Sequence, residues 1–97
     1  MSDRFTMFVS SQSPRAESAI SIARRLDGLL AARGGGCAVV DVLSEPAAAA
    51  AERILATPAL VRHGPATLRI VGEIEDFARL CVQLGLHSSV PAGELGA

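Results

Sequence analysis

The stretch Val39-Val40-Asp41-Val42-Leu43-Ser44-Glu45-Pro46, followed by Glu52-Arg53-Ile54-Leu55-Ala56-Thr57-Pro58-Ala59-Leu60, decides how this chain is organised. It reads as a buried strand, a turn, a short helix and then an X-Pro step that opens a further strand. Pro46 suits the first helical position, where its missing N–H costs nothing. Five successive alanines, Ala47 to Ala51, give that helix high propensity and little to bury. The helix is expected from Ala47 to about Leu55.

Upstream, Arg4 to Ser10 carries Phe5, Met7 and Val9 on one face and Phe8 on the other, the pattern of a central strand covered on both sides. Ser13-Pro14 supplies an N-cap and a first-turn proline, and Glu17 places an acid near the positive end of the helix dipole. Ala19, Ile22, Ala23, Leu26, Leu29 and Leu30 then form one apolar stripe at helical spacing, to about Arg33. Gly34-Gly35-Gly36 stops the helix. Cys37 to Leu43, nearly all apolar, is expected to be buried on both faces and to form a parallel βαβ unit with the first strand.

Downstream, Pro58 to Arg62 and Thr67 to Val71 read as an antiparallel hairpin around His63-Gly64-Pro65. Glu73, Glu75 and Asp76 load the start of a last helix with acid, and Ile74, Phe77, Leu80, Cys81 and Leu84 form its buried stripe. The order is β-α-β-α-β-β-α, an α/β mixed central sheet with helices on both faces, in one domain over residues 1–86. Residues 87–97 read as a flexible C-terminal tail. This is a thioredoxin-like layout, which makes Pro58 a candidate structural cis-proline. Such a layout normally carries Cys-x-x-Cys after its first strand. Here the matching stretch is Ser10-Ser11-Gln12-Ser13-Pro14-Arg15, without cysteine.

The chain has 97 residues and a net charge of −1, so it offers no electrostatic footprint for nucleic acid or anionic lipid. No apolar run approaches the roughly 20 residues needed to span a bilayer. Met1-Ser2-Asp3-Arg4 leads straight into a strand and lacks the layout of a signal peptide. A cytoplasmic location is expected. Cys37 and Cys81 read as unpaired small hydrophobes, because neither shares ligand-like spacing with His63 or His87 and no metal site is offered. His63 reads as an exposed turn histidine. No Ser or Cys lies in a nucleophile motif. Gly34-Gly35-Gly36 follows a helix, whereas phosphate loops follow a strand and open one. Asp41 is expected to be structural, acting near the strand end or orienting the Pro46 turn.

The segments Val40-Asp41-Val42-Leu43, Pro46, Ile54-Leu55-Ala56-Thr57-Pro58-Ala59-Leu60 and Arg69-Ile70-Val71-Gly72, with Ser13-Pro14, resemble the circadian clock KaiB family. They also resemble the KaiB-like sensor domain of clock-associated histidine kinases. The similarity covers roughly residues 5–86, and the Ile-Leu-Ala-Thr-Pro block is its most specific part. The resemblance implies a non-enzymatic protein without cofactor, and as partner a KaiC-like ATPase or a histidine kinase. It also implies a possible homo-oligomer, dimer or tetramer, and an alternative fold of order β-α-β-β-α-α-β that the family can adopt. Ser18 and Ser21 stand where the family usually has basic residues, and Ala38 replaces a common Lys. Arg53 and Arg69 keep the basic residue of their matching positions. The implied partner-binding residues are Arg53, Ala38, Val40, Ala49 and Arg69, on the second strand, the second helix and the fourth strand. Because the hairpin and the last helix both have strong local signals, the thioredoxin-like arrangement is the expected resting state.

Overall fold

In the computed structural model, residues 3–64, 68–72 and 74–86 are described. The elements run β1 (Arg4–Val9), α1 (Ala16–Ala31), β2 (Gly36–Asp41), α2 (Pro46–Ala51), β3 (Ala59–His63), β4 (Leu68–Val71) and α3 (Phe77–Leu84). The expected order is therefore present, and the Thr57–Pro58 bond is cis. The proposed tail, residues 87–97, lies outside the described residues, as do Pro65, Ala66, Thr67 and Glu73.

The four strands stand in the order β2-β1-β3-β4. β1 pairs parallel with β2 and antiparallel with β3, and β3 pairs antiparallel with β4. On one face, Phe5, Met7, Val9, Leu60 and Ile74 meet the stripe of α1 (Ala19, Ile22, Ala23, Leu26, Leu30) and Leu80 and Leu84 of α3. Met7, Leu26, Leu30, Leu60 and Leu80 are among the fully buried side chains there, each worth roughly 1.5–3 kcal/mol on burial. The other face holds a smaller cluster, Phe8, Ala49, Ala59 and Val61, under α2.

Several boundaries differ from expectation for local reasons. Ser13 does not cap α1. Its hydroxyl accepts the N–H of Arg15, two positions on, at 3.1 Å, and so forms a side-chain turn that delays the helix to Ala16. α3 begins after Asp76 and not at Glu73, because the Asp76 carboxylate accepts the N–H of Arg79 at 3.1 Å and caps the helix there. α2 ends at Ala51, short of Leu55. The expectation that β2 is buried on both faces is also corrected. β2 is an edge strand, and Ala38 and Val39 are exposed.

Candidate functional site

The α2 side of the sheet is only half covered. Strand register places Ala38 and Val40 of β2, Arg4, Thr6 and Phe8 of β1, Ala59, Val61 and His63 of β3, and Arg69 and Val71 of β4 on this one face. The six-residue α2 lies over one end of it, where Ala48 and Ala49 meet Phe8, Ala59 and Val61, with Val40, Val42 and Ile54 at the margin. Small alanine side chains let so short a helix sit low on the sheet. Ala49 is thus buried and sets the height of α2, while Val40 is half-buried beside it. Ala38 is exposed next to them, on a strand whose outer edge has no partner among the described residues.

The end of α2 places the two arginines. Ile54 N–H bonds Ala49 C=O at 3.0 Å and Arg53 N–H bonds Ala50 C=O at 3.0 Å, the paired closure of a helix C-terminus that puts its central residue in the left-handed region. That residue is Arg53, with φ of 55°, the one non-glycine at positive φ among the described residues. Ile54 then turns inward, against the cluster that contains Ala49. Arg53 is exposed and has no ion pair among the described residues. Arg69, across on β4, holds Glu52 at 3.5 Å and so ties the end of α2 to the far strand. Leu55, 97% exposed, and Val71, 55% exposed, add apolar surface at this end.

All five expected partner-binding residues therefore belong to one side of the molecule: Ala38, Arg53 and Arg69 on its surface, and Val40 and Ala49 beneath. Thr6, His63 and Val71 share that side, although the resemblance does not imply them as contacts. Strand parity with Ala38 and Arg69 identifies Thr6, His63 and Val71 once the register is known. Leu55 reads from sequence as the last residue of the second helix, and its exposure follows from the earlier end of α2 at Ala51.

The thiols lie elsewhere. Cys37 is packed against the α1 side, and its pKa is pushed up to about 12, first by burial and then by the nearby Asp27 carboxylate. Burial also raises that of Cys81. Neither thiol is poised as a thiolate nucleophile. Among the described residues, no group of three or more His, Cys, Asp or Glu could hold a metal ion, and no helix is long and apolar enough to cross a membrane.

The KaiB domain family model matches residues 6–85 of the chain. No curated protein matches it significantly. Among solved structures, it is similar to the N-terminal domain of SasA from Synechococcus elongatus, with 22% identity and a TM-score of 0.63, covering 87% of this chain and 80% of that one. It is also similar to the germline-specific thioredoxin Deadhead from Drosophila melanogaster, with 13% identity and a TM-score of 0.70, covering 87% and 79%. Mitochondrial thioredoxin 3 from Saccharomyces cerevisiae gives 16% identity and a TM-score of 0.65, covering 87% and 76%. At these identities the likeness concerns the thioredoxin-like fold alone.

Proposed function

The chain belongs to the KaiB family, and on that premise we propose that it is a non-enzymatic, cytoplasmic binding module that docks on a KaiC-like ATPase through its β2–α2 side. The observation that carries this reading is Arg53. An arginine held where glycine is favoured, exposed and without an ion pair among the described residues, costs stability that no charge pairing among them offsets. Strain of this kind collects at functional positions. At the other edge of the same face, Ala38 is exposed on β2, whose outer edge has no partner among the described residues. Backbone strain, with a cation and a strand edge that are both unpaired among the described residues, describes a docking surface better than a catalytic cleft.

A redox role is disfavoured on chemistry. The loop before α1, Gln12-Ser13-Pro14-Arg15, has no thiol, and Cys37 stays protonated. The second reading is docking to a histidine kinase, supported by the fold shared with the SasA N-terminal domain.

The test is a pull-down against a KaiC-like ATPase and a KaiB-partnered histidine kinase, each with and without ATP. Docking on the ATPase, weakened by Arg53→Ala, is the expected result. A truncated interfacial Arg that meets a desolvated carboxylate should lose on the order of 1–3 kcal/mol. Capture of the kinase alone moves the assignment to the second reading, and unchanged affinity in Arg53→Ala removes Arg53 from the surface.

A further inference from the structure

The α2 side of the sheet has a second pole. Arg4, Thr6, Ala38 and His63 lie at the end that α2 does not reach, and all are exposed or half-buried. The polar side chains converge there. Thr6 Oγ1 lies 2.7 Å from His63 Nε2. Arg4 and His63 are directly opposed across β1 and β3. All three line one recess with Ala38 and Gly36. A Cβ at Gly36 would stand 3.0 Å from Asp27 Oδ1 and 3.7 Å from Arg4 Nη1, so both side chains border the same spot. The guanidinium of Arg4 has no carboxylate partner among the described residues.

One acid, Asp27, reaches the same recess from α1. Its Oδ1 accepts the backbone N–H of Cys37 at 2.8 Å, at the start of β2, and it makes no ion pair with Arg4. Cys37, also in the recess, stays protonated and adds no charge. A guanidinium offers only donors, a hydroxyl and an imidazole offer donor and acceptor, and an ionised carboxylate only accepts. Charge-assisted bonds to such a group are the strong ones.

Resting on the docking reading above, we propose that Arg4, Thr6 and His63 form a carboxylate-reading corner of the partner surface, which takes an Asp or Glu side chain of the docked protein. Arg53 marks one end of the surface and this corner the other. A partner with a matching acid can then lie on the face in one direction only. The corner is at the rim, so it acts on association rate and salt dependence as well as on affinity.

Two measurements test the corner apart from the docking reading. In the first, NMR spectra of the full chain are followed while sodium acetate is added, against sodium chloride at matched ionic strength. Saturable shifts at Arg4, Thr6 and His63 that need acetate and vanish in an Arg4→Gln, His63→Gln double variant are expected. Absent shifts, or shifts that persist in the double variant, overturn the corner whether or not any partner binds. In the second, the double variant is titrated against the KaiC-like ATPase across a salt series. About tenfold weaker binding with a shallower salt dependence is expected, with Thr6→Val in between. Unchanged affinity and salt dependence overturn the corner's role toward the partner. Wild-type protein that responds to acetate but fails to bind the ATPase overturns the docking reading and leaves an oxyanion site.

Discussion

The carboxylate of Asp41, the last residue of β2, accepts the backbone N–H of Ser11, in the loop after β1, at 3.2 Å. The same Oδ1 accepts the N–H of Leu43 at 3.0 Å, and Oδ2 accepts the Ser44 hydroxyl at 3.3 Å. One side chain therefore ties the exit of the central strand to the turn that leads into α2. Of the two structural roles open to Asp41 from sequence, strand end and turn, it fills both.

These donors favour the charged form. The Leu43 N–H, and then Ser11, hold the Asp41 carboxyl below the usual carboxylate range. A depressed folded pKa contributes stability that is present above the unfolded value, near 4, and is lost as pH falls through the folded one. Asp41→Asn is expected to lower Tm at pH 7 and to flatten the loss of Tm between neutral and acid pH. Thermal melts from pH 7 down to pH 2 check it, and an unaltered acid limb would show that other carboxylates set it.

Arg53→Gly should separate strain from recognition. Glycine takes positive φ freely, so the variant should gain on the order of 1 kcal/mol of stability. It should lose the partner affinity that the guanidinium supplies. Urea unfolding and the pull-down are read on the same preparation. A less stable variant would mean that Arg53 makes a favourable contact within the fold.

Arg62 fastens the last helix. Its Nη2 donates to the C=O of Leu84 at 3.2 Å, and its guanidinium lies 5.5 Å from the Phe5 ring centroid. Its buried Nε has no partner among the described residues. Arg62→Met removes the bond, worth about 1 kcal/mol, and the ring contact, worth about 0.5–1 kcal/mol. Relief of the unpaired Nε offsets part of that loss. Hydrogen exchange should accelerate at Leu84 to Leu86 and stay unchanged in β1. Uniform acceleration would show that Arg62 supports the whole core.

Gly35 is needed for space. A Cβ there would collide with the backbone carbonyl of Asp3. That approach is part of the closure of α1, in which Gly35 N–H bonds Leu30 C=O at 2.9 Å and Gly36 N–H bonds Asp3 C=O at 3.0 Å. Gly35→Ala should cost about 1–3 kcal/mol, as overpacking does. Gly28→Ala, with nothing within 4 Å of its Cβ position, is the control and should be neutral or stabilising.

Cys37 should resist alkylation by iodoacetamide at pH 8 in the folded protein and react on unfolding in urea. Burial and Asp27 keep the thiol protonated. A raised thiol pKa contributes stability that is present below the unfolded value, near 8.5, and is lost as pH rises toward the folded one. Mass spectrometry of each cysteine at timed intervals reads the result. Rapid labelling of folded Cys37 would show that its strand opens readily.

Element order could be read from the chain because it depends on short-range physics. The period of Ala19, Ile22, Ala23, Leu26 and Leu30, the glycine stop after Arg33 and the hairpin around His63-Gly64 are each local and point to one arrangement. The family was legible for a similar reason, since its Ile54–Leu60 block is contiguous. The exposure of β2 was not legible. Cys37 to Leu43 is apolar enough for a buried strand, and only sheet order makes it an edge. Helix ends were decided by which polar side chain reached which N–H first: Ser13 to Arg15, and Asp76 to Arg79. The shared face of Ala38, Arg69, Thr6 and His63 required the register between strands that are distant in sequence. Arg53 looked like an ordinary helical residue until α2 closed one turn early and left it in the left-handed region. Periodicity and turn chemistry act between near neighbours, whereas edges, faces and strained positions arise only when distant segments compete for the same space.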